Sequence, residues 1–158
     1  MRPPPFQAFL DTHRDDVYRF LVHLVGPGEA DDVFQETFLA ALRAYPRLRD
    51  GSNLKAWVMT IAHRKALDAH RSRRRRPEPV ETVPEGAAGS ALDGEGAGEP
   101  ALWRAVNGLP PKQRAAVVHR FVADLPYRDI AYAMGTTEEA ARRSVYEGVR
   151  KLREVWRA

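Results

Sequence analysis

The stretch from Leu125 to Leu152, LPYRDIAYAMGTTEEAARRSVYEGVRKL, constrains the fold more than any other part of the chain. Gly135 suits the left-handed residue that ends a helix. Pro126 sits near the start of that helix, where a missing N–H costs little. Ile130, Ala131 and Met134 give the helix an apolar face. Thr136 with Glu139 fits a capping box that opens a second helix. Along this second helix Ala141, Val145, Val149, Leu152 and Trp156 recur at steps of three and four, which makes one buried stripe. Glu139, Arg142, Arg143, Tyr146 and Arg150 fall on its other side. A short helix, a glycine turn and a helix cationic in its first half describe a helix-turn-helix DNA reader. An ordinary helical hairpin with a solvated basic face is the alternative that this pattern leaves open.

Charge divides the chain in three. Residues 1–76 carry 14 Lys/Arg against 9 Asp/Glu, a net of +5; residues 77–100 carry 6 acidic residues and no basic one; residues 101–158 return to +5. The middle segment, PEPVETVPEGAAGSALDGEGAGEP, is rich in Gly, Pro and Ala and nearly devoid of large apolar side chains. Such a segment cannot bury enough surface to offset its chain entropy. It is expected to be a flexible acidic linker between two small domains, 1–76 and 101–158.

The first domain reads as all helical. Phe6, Phe9, Leu10, Val17, Phe20, Leu21 and Leu24 keep near-helical spacing up to a stop at Gly26-Pro27-Gly28. A second helix is expected over Ala30–Tyr45, with acidic residues at its start and Phe34, Phe38 and Tyr45 facing the core. Asp32, Gln35, Glu36, Leu39 and Arg43 fall on another face. That mixture fits a protein partner better than nucleic acid, since carboxylates repel phosphate; a merely solvated face fits the pattern equally well. Residues 46–53, PRLRDGSN, read as a loop. A third helix follows from Leu54 to about Arg76, with Leu54, Trp57, Val58 and Ile61 facing the core. Its end, RKALDAHRSRRRR, holds more arginines than one helix terminus needs for its dipole, and phosphate contact accounts for the excess.

Other classes find little support. No apolar run approaches the roughly 20 residues of a membrane span, and the N-terminus lacks the apolar core and cleavage site of a signal peptide. There is no cysteine, hence no disulfide or thiolate chemistry. A cytoplasmic protein is expected. The five histidines, His13, His23, His63, His70 and His119, show no metal-binding spacing. No phosphate-cradling glycine loop or nucleophile motif is present. No catalytic residue, metal site or cofactor is expected.

The segments ADDVFQETFLAAL, LKAWVMTIAHRKALDAHRSRRRR and LPPKQRAAVVHRFVADLPYRDIAYAMGTTEEAARRSV, in this order and around this linker, resemble the extracytoplasmic-function (ECF) branch of the sigma-70 family of bacterial RNA polymerase subunits. The resemblance implies an all-α chain with a region 2-like bundle and a region 4-like helix-turn-helix domain. It also implies a non-enzymatic role that directs core polymerase to promoters. Asp31, Asp32, Gln35, Glu36 and Leu39 would bind the clamp helices of the core. Ser52, Asn53, Trp57, Arg64, Lys65, Arg71 and Arg74 would read and hold open the −10 element, although Ser52 and Asn53 each suit a helix N-cap equally well. The helix within Leu109–Val122 would meet the polymerase flap tip. Arg128, Thr136, Thr137, Glu139, Arg142, Arg143 and Tyr146 would read the −35 element. Members of the family commonly have an anti-sigma factor as a further partner.

The sequence departs from the family pattern at Arg64, where asparagine is usual. Ser144 and Glu147 stand where arginine is common, and Gly148 replaces the usual alanine. An altered −10 preference from Arg64, and weaker or altered −35 binding from Ser144 and Glu147, are the expected results. A coil of 24 linker residues averages only about 25–30 Å, against about 60–70 Å for two DNA regions nearly two turns apart. The polymerase would therefore set the spacing of the two domains. The alternative reading is an autonomous helix-turn-helix regulator, which leaves the matches of the first domain without a purpose.

Overall fold

The computed structural model of the chain describes residues 2–75 and 99–157, with side chains over 2–72 and 101–155. Within these residues every regular element is helical. The order is α1 (Phe6–Val25), α2 (Pro27–Ala44), a 3-10 turn (Tyr45–Arg47), α3 (Leu54–Arg75), α4 (Glu99–Asn107), α5 (Pro111–Phe121), α6 (Tyr127–Met134) and α7 (Glu138–Arg157). The acidic segment expected as a linker lies outside the described residues up to Gly98, and Glu99 and Pro100 open α4.

Helix α2 begins three residues earlier than its acidic run suggests. Gly26 takes φ +88°, donates its N–H to the Val22 carbonyl and accepts the Ala30 N–H, so it closes α1 and opens α2 at one residue. Pro27 takes the first helical position, where its fixed φ is an advantage. The expected break at Gly26-Pro27-Gly28 is thus a single-residue corner. Beyond it the chain folds α1, α2 and α3 around Phe9, Val17, Phe20, Leu21, Val33 and Phe38.

Helix α3 is buried on more than one side. Ala56, Val58, Met59, Thr60, Ala62, His63 and Ala66 are all buried, a set too wide for one apolar stripe. Its extra buried residues reflect its position, since it packs on α1 and α2 and also on α6 of the second half. One continuous core runs through both halves, joining Phe20, Leu21 and Met59 to Val118, Leu125 and Ile130. The two domains expected from charge therefore meet along a seam. Short α4, not marked as a helix in the sequence, lies on this seam against α1, α5 and α7.

In the second half, Gly135 takes φ +66° and ends α6 as expected. Its neighbour Thr136 donates its N–H to the Ala131 carbonyl at 2.9 Å, the long bond of a Schellman motif. The cap of α7 is a correction. Thr137, not Thr136, supplies the side-chain cap, its Oγ1 accepting the Ala140 N–H at 3.0 Å. Position three after the cap is then an alanine, and no reciprocal glutamate completes a box. Ala141 and Val145 are buried and Val149 and Leu152 half-buried, as the stripe requires; the Trp156 side chain lies outside those described. Gly148 is buried against α5, where an added Cβ would come within 2.7 Å of Val117 Cγ2. Helices α5 and α7 therefore pack backbone-close at this point.

Candidate functional site

The residues singled out in the sequence fall on three surfaces. The first is a stripe of α2. Asp31, Asp32, Gln35, Glu36 and Leu39 are all exposed, while Val33, Thr37, Phe38 and Ala41 on the opposite face are buried. Leu39 is 52% exposed, and Leu42 one turn on is 49% exposed. Asp31 accepts from the Tyr18 hydroxyl, which pushes that phenol above its ordinary value. Carboxylates flanking exposed leucines make a surface suited to a protein.

The second surface runs along α3. Ser52 turns back on its own loop, its hydroxyl donating to the Arg49 carbonyl at 2.6 Å. Asn53 is the N-cap, its Oδ1 accepting the Ala56 N–H at 3.1 Å. Its amide Nδ2 donates to Oδ2 of Asp129, on α6, at 3.2 Å. Trp57 is half-buried, its ring 5.6 Å from Phe9 and 6.1 Å from Tyr45, so it belongs in part to an aromatic core. Arg64 and Arg71 are exposed and Lys65 half-buried; the side chain of Arg74 lies outside those described. From Asn53 to Arg71 the helix rises about 27 Å, so these residues form a track, not one pocket. A track of cations with an aromatic near one end is suited to a strand of nucleic acid.

The third surface is the helix-turn-helix. Arg128, Thr136, Thr137, Glu139, Arg142, Arg143 and Tyr146 are all exposed, around a buried hinge of Ile130, Ala131 and Ala141. Arg142 is held in place: its guanidinium lies 4.9 Å from the Tyr127 ring centroid and 3.4 Å from the Glu138 carboxylate. Arg120 covers the same ring at 5.0 Å. Glu147 does not project with these residues; it accepts from Gln113 of α5 at 3.2 Å. Its carboxylate is therefore turned toward α5.

Sequence reasoning missed Phe121 and Tyr127. Phe121, at the end of α5, is 64% exposed. With Tyr127, Arg142, Tyr146, Arg150 and Arg153 it lines a groove of about 300 Å³. An aromatic at a helix end beside arginines was the available signal. Among the described residues no group of three or more His, Asp or Glu could hold a metal ion, and no helix is long and apolar enough to cross a membrane.

The family model for sigma-70 region 2 matches residues 9–76, and that for sigma-70 region 4 matches residues 100–152. The ECF RNA polymerase sigma factor SigD of Mycobacterium tuberculosis is 36% identical over 156 residues, covering 92% of this chain and 74% of that protein. The ECF sigma factor BldN of Streptomyces coelicolor is 33% identical over 159 residues, covering 93% and 58%. The sigma factor RpoE of Bartonella quintana, solved in complex with the anti-sigma factor NepR, shares the fold with a TM-score of 0.81 and 23% identity over 97% of both chains. A region 2 bundle with an exposed acidic stripe, joined to a region 4 helix-turn-helix and matched over nine-tenths of its length by SigD, places this chain in the ECF group of the sigma-70 family.

Proposed function

We propose that this chain is the promoter-selecting subunit of a bacterial RNA polymerase, acting in the cytoplasm and without catalytic chemistry of its own. The α2 stripe of Asp31, Asp32, Gln35, Glu36 and Leu39 docks on the clamp helices of the core enzyme. Helix α5 and the exposed Phe121 meet the flap tip. The loop before α3 and the cationic track along it engage the non-template strand of the −10 element, with Trp57 offering an aromatic platform. Helix α7 enters the major groove at the −35 element with Arg142, Arg143 and Tyr146, while Arg128 approaches the backbone. An anti-sigma factor is a fitting further partner, as one is for the Bartonella RpoE.

One observation carries this reading. All five residues of the core-binding set and all seven of the −35 set are exposed, while their helical neighbours Val33, Phe38, Ala141 and Val145 are buried. Two separate faces thus stand at the surface, the second held in shape by the Thr137 cap and the Arg142–Tyr127 contact. The test is run-off transcription with purified core polymerase, this chain and genomic DNA. Discrete transcripts that need the chain support the reading. Tight, specific binding to duplex DNA without polymerase, and no transcripts with it, would favour an autonomous regulator.

A further inference from the structure

Two arginines from different helices share the ring of Tyr127. The guanidinium carbon of Arg120, on α5, lies 5.0 Å from the ring centroid, and that of Arg142, on α7, lies 4.9 Å from it. Tyr127 is the first residue of α6, so one aromatic side chain links three helices of the second half. Arg142 stands on the −35 reader, whereas neither Arg120 nor Tyr127 was singled out in the sequence.

The root of this ring is fixed. Leu125, two residues before it, is buried, and the ring of Pro126 between them locks its own φ. The Leu125 carbonyl accepts from Arg120 Nη1 at 3.1 Å, which ties Arg120 to the same turn that carries Tyr127. Tyr127 itself is half-buried against the core. Swinging it away would forfeit that burial and both cation–π contacts together. The ring is therefore the steady partner and Arg142 the adjustable one.

Arg142 has a second hold, the Glu138 carboxylate at 3.4 Å one turn back. Both members of that pair are more than half exposed, so solvent and salt screen it and it grips weakly. The ring, by contrast, lies in the groove with Phe121, Val145 and Tyr146. Apolar neighbours thin the water there and strengthen a cation–π contact.

Base readout makes this geometry matter. An arginine that reads guanine must bring its planar fork to O6 and N7 together. A free arginine holds many rotamers, and ordering it on binding costs affinity. A guanidinium already laid on a fixed ring has lost much of that freedom before DNA arrives.

Resting on the function proposed above, we infer that Tyr127 is a positioning residue of the −35 reader. Its ring, fixed by Arg120 and the Leu125 turn, presets the Arg142 guanidinium. Base preference where Arg142 enters the major groove is thus set in part from the helix before the recognition helix.

The test uses holoenzyme assembled from core polymerase and the full chain, on a promoter recovered by run-off transcription and randomised through its −35 element. Competitive binding followed by sequencing gives the preference at each position. Arg142→Ala is expected to flatten one or two adjacent positions. Tyr127→Leu flattens the same positions by at least about 3-fold, out of the about 5- to 150-fold that a bidentate arginine–guanine pair supplies. Added to Arg142→Ala, it flattens them no further. Tyr127→Phe keeps the ring and restores the preference. Tyr127→Met is a second ringless variant should leucine fail to fold, which circular dichroism reports. The log–log salt slope stays at the parent's value throughout the Tyr127 series, since no phosphate contact is lost. A merely structural role would weaken binding to every sequence alike, and that uniform loss from a folded variant overturns the inference. So does a slope lowered by about 0.9 in Tyr127→Phe, which would give the hydroxyl a phosphate. Flattening at positions that Arg142→Ala leaves untouched overturns it as well. If the parent itself yields no transcripts, the proposed function fails and this inference falls with it.

Discussion

His63 of α3 and His119 of α5 face each other across the two halves, Nδ1 to Nε2 at 3.1 Å. One ring donates and the other accepts, and burial keeps both neutral at pH 7. Burial pushes His63 down to about 4, assisted by the Arg64 cation, and drives His119 well below its ordinary value, assisted by His63. Phe20 of α1 covers the His119 ring, Asp129 of α6 is already engaged with Asn53, and Glu29 of α2 lines a cavity beside His63. Burial and the neighbouring cation act in the same direction, and the pair resists taking up a proton.

The pH dependence follows from this environment. Between about 4 and 6.5 the unfolded chain binds protons that the folded chain refuses, so stability rises with pH through that window. The contribution is complete above about 6.5 and is lost as pH falls toward 4. For His63 alone the loss at pH 5 is about 2 kcal/mol. Urea titrations at pH 7.5 and pH 5 should show the midpoint fall at the lower pH, and His63→Gln should flatten that dependence. An unchanged dependence in the variant would place the proton uptake elsewhere.

Gly148 shows how a departure from a family pattern can be structural. Alanine at this position would gain about 1 kcal/mol of helix propensity. Its Cβ, however, would meet Val117 Cγ2 at 2.7 Å, with Gln113 Cβ and carbonyl oxygen each at 3.5 Å. Valine in a helix has essentially one rotamer, so the methyl cannot swing aside, and such overpacking costs about 1–3 kcal/mol. Gly148→Ala is expected to destabilise the second half by about 1 kcal/mol. Adding Val117→Ala should recover part of the loss, giving a coupling in a double-mutant cycle. Additive effects would show that α5 and α7 yield at this crossing.

The same physics sets what the sequence reveals. Periodicity locates α1, α3, α6 and α7 because each buries at least one apolar stripe, whichever neighbour covers it. Gly135 was readable because only one backbone conformation ends that helix. The seam was not readable: Asn53, His63, His119 and Asp129 are individually ordinary, and nothing local pairs Asn53 with a residue 76 positions away. The burial of Met59 and Thr60 was missed for the same reason, since the partner that covers α3 comes from the other half. Helix α4 escaped because Glu99 and Pro100 share the composition of the segment before them. Thr136 and Thr137 are chemically equivalent caps, and only the geometry of the turn selects the second.

Arg142 and Arg143 are adjacent but not equivalent. Arg142 is braced by Tyr127 and Glu138, whereas Arg143 is simply exposed. Arg143→Ala should leave stability within about 0.5 kcal/mol and lower the log–log salt slope of promoter binding by about 0.9 if it meets a phosphate. Arg142→Ala should weaken binding and also cost about 0.5–1 kcal/mol of stability through the lost cation–π contact. Thermal melts beside salt titrations of holoenzyme on promoter DNA separate the two. Equal stability losses would mean that the Tyr127 contact contributes nothing.

Leu39 offers the sharpest test of the α2 stripe. It is 52% exposed, so the fold gains little from it, and Leu39→Ala should change stability by less than about 0.5 kcal/mol. A leucine seated in a partner's groove between carboxylates is a different matter. Truncating such an anchor costs about 1–2 kcal/mol of binding, or about 5- to 30-fold in affinity for core polymerase. Competition against a labelled parent chain for the core enzyme measures this directly. Leu102, on α4 and also exposed, serves as the control: Leu102→Ala removes the same atoms from a surface with no assigned partner and should compete as the parent does. If Leu39→Ala also competes undiminished, α2 meets the polymerase through its charges alone or not at all.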